Sequence, residues 1–258
     1  MTTSEINILV LLRDYPVGLA VTKKIHNLLS FLVHQAVSVK ILSYRSKFAQ
    51  PAYSQEDEIP FYTIGADLKL FHLHRTIGYY WTGLSKIKAC KRKGYTNIFY
   101  CIGPVNIENF LFVFWARFIN YKIVFDINED YSFFEDNVKA ISRLKIRTTR
   151  RLDVLTYKWA SAITVVSTHL RNKYSKLMKK PVILIPVTAS NNFRPEEKIH
   201  KKRFQVLYAG TFDLKDGVRT IIEGFIKFNK IYDNSELRLI GKSDHQAVYQ
   251  NEFRDSNN

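Results

Sequence analysis

Lys122-Ile123-Val124-Phe125-Asp126-Ile127-Asn128-Glu129-Asp130-Tyr131 is the stretch on which the fold turns. A strand with one wet face alternates polar and apolar residues, whereas the unbroken run Ile123–Phe125 belongs to a parallel sheet covered on both faces. The run stops at a cluster of polar and acidic side chains, and in doubly wound sheets ligands bind beyond the carboxyl ends of strands. Asp126, Asn128, Glu129 and Asp130 are therefore placed to hold the hydroxyls of a sugar. Two other uses of the same residues stay open, capping a following helix or chelating a cation.

Working outward, seven further runs have the same strand-like character: Ile6–Leu12, Val37–Leu42, Ile98–Cys101, Ala162–Val166, Val182–Ile185, Gln205–Ala209 and Glu236–Ile240. The stretches between them are long enough for helices, and strands alternating with helices indicate a doubly wound α/β architecture. Val21–Val33 carries Val21, Ile25, Leu28, Leu29 and Leu32 at helical spacing, and Val218–Phe228 does so with Ile221, Ile222, Phe225 and Phe228. Phe71–Lys93 is a helix-like mixture of aromatic and basic residues. A composition break at Ser190–Arg203 reads as a linker. It divides the chain into a first domain, 1–190, and a second part, 191–258, of only 68 residues. An αβ domain usually takes about 100–150 residues, so the second part is expected to be a truncated opening of its domain.

Composition narrows the function. With 46% apolar residues the chain supports a packed core, which excludes disorder and disulfide-stapled miniature folds. Cys90 and Cys101 are its only cysteines and stand in no zinc or disulfide pattern, as suits a reducing, cytoplasmic setting. The start, Met-Thr-Thr-Ser-Glu, lacks the basic leader of a signal peptide. The most apolar segment, Phe110–Ile119, is ten residues with Arg117 inside it, far short of the roughly 20 that cross a bilayer. The 39 Lys and Arg outnumber 23 Asp and Glu, a formal charge of +16 that calls for an anionic partner.

Two turns carry glycine where a phosphate is often held. After Ile6–Leu12 comes Arg13-Asp14-Tyr15-Pro16-Val17-Gly18, and Gly18 at the mouth of the next helix lets backbone approach a ligand. An ordinary strand-to-helix turn explains it equally well, since a dinucleotide fingerprint needs GxGxxG. After Gln205–Ala209 come Gly210, Thr211, Lys215 and Gly217, which together offer backbone amides and one ammonium to a diphosphate.

In this combination the chain resembles the retaining GT-B glycosyltransferases of family four, also called glycosyl transferase group one. The resemblance rests on Asp126-Ile127-Asn128-Glu129, on Ala162-Ile163-Thr164-Val165-Val166-Ser167 with its following helix, and on Val182-Ile183-Leu184-Ile185-Pro186. Its strongest part runs from Leu207-Tyr208-Ala209-Gly210 through Lys215-Asp216-Gly217 and Glu223-Gly224-Phe225 to Leu237-Arg238-Leu239-Ile240-Gly241. It implies two facing Rossmann-like domains, the first for acceptor and the second for a nucleotide diphosphate sugar. It also implies that Asp126, Asn128 and Glu129 stand near the reacting sugar, with Gly18, Gly210, Thr211 and Lys215 at the donor diphosphate. No cofactor or metal is implied, because basic groups and helix N-termini stabilise the leaving diphosphate. Members often carry His at Asn128, Arg at Thr211, and adjacent Lys and Gly where Asp216 separates Lys215 from Gly217. The family's later segment, with two glutamates for the nucleotide ribose and donor sugar, would follow Gly241. Hence the expectation that the chain is inactive alone, or is completed by a separate chain.

Two basic clusters remain. Lys86, Lys88, Lys91, Arg92 and Lys93 fall within eight residues, and Lys139–Leu152 holds Lys139, Arg143, Lys145, Arg147, Arg150 and Arg151 without an acid. Such segments read either as solvated helix faces or as contacts with an anionic membrane, each basic residue adding about 1 kcal/mol near the surface. The resemblance favours the membrane, because the family's acceptors are often lipid-linked sugars or polysaccharides at the cytoplasmic leaflet of the inner membrane. A non-catalytic acceptor- or membrane-binding module is the alternative. No RNP, zinc-finger or helix-turn-helix signature supports a nucleic-acid partner.

Overall fold

The structure is a computed structural model that describes residues 5–16, 20–35, 37–44, 53–56, 59–64, 73–129, 140–187, 203–210, 212 and 216–241; in 53–56, 73–74 and 140–145 it describes the backbone only. The chain divides into two compact units, Met1–Asn192 and Phe193–Asn258. The expected linker lies outside the described residues except for Arg203.

The first unit is built on one eight-stranded sheet. In chain order its strands are β1 (Ile6–Leu12), β2 (Ser38–Ser43), β3 (Tyr53–Glu56), β4 (Ile59–Thr63), β5 (Thr96–Ile102), β6 (Lys122–Ile127), β7 (Ala160–Val165) and β8 (Val182–Leu184). They lie in the order β3-β4-β2-β1-β5-β6-β7-β8. The β3–β4 pair is antiparallel and the rest of the sheet is parallel. The order reverses between β1 and β5, the switch point where open sheets of this kind bind ligands.

Both faces of this sheet are covered. Val10, Leu12, Val39 and Ile41 pack with Ile25 and Leu29 of α1 (Ala20–His34). Their neighbours Leu9, Leu11, Phe99, Ile123 and Phe125 pack against the opposite helical layer. That layer holds α2 (Leu73–Ala89), α3 (Ile107–Phe118), α4 (Ala140–Tyr157) and α5 (Thr168–Leu177). Double cover is why the apolar runs do not alternate. Gly83 marks a close approach, since a Cβ there would enter the ring of Phe112 where α2 crosses α3.

Two features went beyond the sequence pattern. The Phe110–Ile119 segment is helix α3, started by Asn106, whose side chain accepts from the Glu108 and Asn109 amides in a capping box. Strands β3 and β4 were not anticipated, because Pro60 argues against a central strand. The structure accommodates it at the strand's start, where pairing with β2 begins only at Phe61.

The second unit contains β9 (Phe204–Gly210), α6 (Val218–Asn229) and β10 (Ser235–Gly241). The strands pair in parallel, from Phe204 with Ser235 to Gly210 with Gly241. Its core is Phe212, Val218 and Ile222, backed by Tyr208, Ile226, Leu237 and Leu239. The continuous apolar runs predicted burial on both faces. Here Leu207 is 62% and Ile240 58% exposed, because α6 covers one face only among the described residues.

Candidate functional site

The polar cluster at the end of β6 is organised by a residue the sequence reading passed over, Lys24 of α1. Its ammonium lies 3.0 Å from each carboxylate oxygen of Asp126 and 3.0 Å from Oδ1 of Asn128. Thr164 of β7, the direct cross-strand partner of Asp126, donates its hydroxyl to Oδ1 of Asp126 at 2.7 Å. Asn128 donates through Nδ2 to the other carboxylate oxygen at 3.0 Å, and the Tyr100 hydroxyl of β5 sits 2.8 Å from that of Thr164. The carboxylate thus receives four hydrogen bonds, and all three ammonium protons have acceptors.

Burial makes this arrangement consequential. Lys24 and Asp126 are 2% and 0% exposed, so each charge has exchanged water for the other and for the polar ring around it. Asp126 has no surface through which to touch a ligand in this arrangement; it anchors its neighbours. Asn128 is half-buried, its amide turned in on Lys24 and Asp126 at both ends, and Glu129 beside it is exposed. The sequence did carry a signal for Lys24. It stands three residues after Val21 and four before Leu28, on the apolar stripe of its helix, where a lysine needs a buried anion.

The turn between β1 and α1 is held by the same helix. Thr22 donates to the Asp14 carbonyl at 3.1 Å, and the Tyr15 hydroxyl lies 2.8 Å from Nδ1 of His26. Gly18, Thr211, Lys215 and Asp130 lie outside the described residues.

A second buried carboxylate lies elsewhere in the unit. Asp153 of α4 accepts from the Val105 amide at 2.6 Å, in the loop that follows β5. Burial is the main cause that pushes its carboxyl up to about 7, opposed by the hydrogen bonds from Val105 and Tyr157. Burial likewise pushes the Cys101 thiol up, with the charges of Asp153 and Asp126 adding to the effect. Neither Cys90 nor Cys101 is exposed.

In the second unit Gly210 ends β9 beside the last residue of β10, Gly241. A Cβ on Gly241 would strike the Gly210 carbonyl, so that position requires glycine, whereas one on Gly210 would meet the Tyr208 hydroxyl and displace the phenol. Tyr208 donates to Asp216 at 2.9 Å, laying its phenol over this strand end. The predicted basic set is spread over two helices. Lys88, Lys91, Arg92 and Lys93 are exposed at and beyond the end of α2, while Lys86 is half-buried with its ammonium 4.7 Å from the Tyr62 ring centroid. Arg147, Arg150 and Arg151 are exposed on α4, and Arg143 and Lys145 belong to the same helix, their side chains outside the description.

The architecture has clear counterparts among solved structures. One is WaaG, a glycosyltransferase involved in lipopolysaccharide biosynthesis, at 12% identity and a TM-score of 0.63 over 96% of this chain and 67% of that one. Another is a variant of S. aureus TarM in complex with fondaparinux, alpha-GlcNAc-glycerol and UDP, at 8% identity and a TM-score of 0.64 over 99% and 76% of the two chains. The fold is that of the GT-B glycosyltransferases. A glycosyltransferase from Rickettsia africae ESF-5 shares it at 12% identity and a TM-score of 0.56, over 98% of this chain and 64% of that one. The chain therefore spans between 64% and 76% of the length of these GT-B proteins. No family model and no curated protein matches the sequence.

Within this GT-B frame, the Asp126–Glu129 and Ala162–Ser167 segments are joined directly, by the bond from Thr164 to Asp126. Ser167 caps α5 by accepting from the Leu170 amide at 3.3 Å. Among the described residues no helix is long and apolar enough to cross a membrane, and no group of three or more His, Cys, Asp or Glu residues is placed to hold a metal ion.

Proposed function

We propose that the chain acts in sugar transfer from a nucleotide diphosphate sugar to a membrane-associated polysaccharide or glycolipid acceptor, as a retaining enzyme of the family-four type that needs no cofactor. The observation that carries this reading is the buried Lys24–Asp126–Asn128 network at the carboxyl end of β6, on a fold shared with WaaG and with a TarM variant bound to UDP. Asp126 is the positioning residue. Asn128 and Glu129 touch the reacting sugar, and Gly18, Gly210, Thr211 and Lys215 hold the donor diphosphate. The basic residues of α2 and α4 hold the protein on the inner membrane face, where anionic lipids attract them.

The test is calorimetric titration of the full chain with UDP, GDP and their sugar conjugates, followed by transfer of labelled sugar to lipid acceptors. Saturable binding that weakens in Lys215→Ala, with turnover lost in Glu129→Gln, is the expected result. Absence of binding to every nucleotide overturns it in favour of a second reading, a non-catalytic acceptor-binding module completed by a partner chain. Two observations favour that reading, the fully engaged Asp126 carboxylate and the Tyr208 phenol over Gly210. Nucleotide binding restored by adding a chain that supplies a second nucleotide-sugar domain identifies it.

A further inference from the structure

At the opposite end of the sheet from Asp126, an open pocket of about 270 Å³ lies where β6 and β7 begin. Four cationic side chains line it: Arg117 from α3, Lys122 from the first residue of β6, Lys158 from the turn before β7, and Lys180 from the loop before β8. Asn120, Ser161, Tyr121 and Trp159 add polar and aromatic wall, and among the described residues no carboxylate lines it. Like charges gathered around one concavity raise a positive potential that a bound anion relieves.

The pocket opens beside apolar surface. Ile107, Leu111, Phe114 and Phe118 are exposed large hydrophobics of α3. Their spacing of four, three and four residues sets them in one stripe along the helix. Arg117 lies between the last two of them, and Trp159 packs on Phe114 with ring centroids 6.1 Å apart. The cationic pocket and the aromatic stripe are therefore one continuous surface. Cations that meet phosphate next to rings that seat at headgroup depth are the two halves of an interfacial membrane contact. Nucleic acid would satisfy the cations and leave the stripe of Ile107, Leu111 and Phe118 in water.

We infer that the pocket of Arg117, Lys122, Lys158 and Lys180 binds the phosphate of an anionic membrane lipid, with α3 lying against the bilayer beside it. Four positive groups match a phosphomonoester, whose charge approaches two and which offers three acceptor oxygens, better than a singly charged diester. This goes beyond the attachment proposed for the basic residues of α2 and α4, because a pocket distinguishes headgroups where a diffuse basic face senses only charge density. It holds whether or not the chain transfers sugar.

Flotation of the full chain with phosphatidylcholine vesicles tests it. The vesicles carry phosphatidic acid or phosphatidylserine, adjusted to equal surface charge. Wild type is expected to bind the phosphatidic acid vesicles about tenfold more tightly, as one additional charge-assisted contact supplies. Lys158→Gln with Lys180→Gln, both at exposed positions, is expected to abolish that preference without changing the melting temperature. Arg150→Gln with Arg151→Gln is expected to weaken both bindings alike and keep it. Equal binding of the two lipids by wild type overturns the pocket and leaves the diffuse membrane surface standing; no binding to any anionic vesicle removes both. Inorganic phosphate bound as tightly without vesicles makes this a free-anion site and overturns the lipid assignment. An RNA oligonucleotide bound more tightly than either vesicle, through the same two lysines, also overturns it.

Discussion

Ile123, Phe125 and Ile127 of β6 are buried, whereas Leu207 and Ile240 of the second unit's two strands are more than half exposed. The residue types are similar: each strand is rich in Val, Ile, Leu or Phe. The difference lies in the neighbours. β6 has a strand on each side and helices on both faces, while among the described residues β9 has β10 on one side and α6 on one face. An apolar run records the cover a strand is written for, and the cover itself comes from other elements.

Removing a group from each region sharpens the contrast. The largest effect is expected for Lys24→Ala, which strands the Asp126 carboxylate in the interior and should cost about 3–5 kcal/mol. Urea unfolding followed by tryptophan fluorescence reads the N-terminal unit directly, since Trp81, Trp115 and Trp159 all lie there. Converting both partners, Lys24→Met with Asp126→Leu, should recover most of the loss; a double variant as unstable as the single one would break the ion-pair explanation.

Truncation of core and surface apolar residues comes next. Phe112→Ala empties the crossing of α2 and α3 and is expected to cost about 3–5 kcal/mol, whereas Leu207→Ala, already mostly in water, should cost about 1 kcal/mol or less. Comparable losses at the two sites would mean that β9 is covered in solution. Hydrogen exchange offers the same comparison without substitution, with β1, β5 and β6 amides expected to outlast those of β9 and β10.

A third comparison uses pH. The Asp153 carboxyl is held at about 7 against an ordinary 3.8, so between these values the folded protein keeps a proton that the unfolded chain releases. This stabilisation is complete below about pH 4 and is lost as pH rises through about 7, with a magnitude on the order of 4 kcal/mol. Asp153→Asn should flatten the fall in melting temperature across that window and leave the variant more stable than wild type at pH 8. An unchanged slope would rule out Asp153 as its source. The smallest effect is expected for Arg219→Ala, whose i,i+4 pair with Glu223 at 3.1 Å stands in water on both sides. A change within about 0.5 kcal/mol is the outcome for such a pair.

Much of the fold could be read before any coordinates. β1 matches its predicted bounds, and the other predicted runs lie within two residues of the observed strands, because Val, Ile, Leu and Phe concentrate in strands whether one face or both are covered. Pro60 argues against a strand at β4, and the Asn106 cap that starts α3 lies four residues ahead of the apolar segment Phe110–Ile119. At the candidate site the sequence offered Asp126, Asn128 and Glu129 as a group. It did not separate the buried Asp126 and the Asn128 amide bonded to it from the exposed Glu129.

By itself, then, the sequence determined the alternation of strands and helices, the place of a polar cluster at the end of β6 and the excess of positive charge. These are local properties, set by residue type and spacing. Only the tertiary structure decided that Lys24 reaches Asp126 from 102 residues away, that Arg117 and Lys180 share a pocket, and that two like strands differ in cover. Each of those depends on which elements the sheet order makes neighbours, and burial and charge pairing follow from neighbours in space.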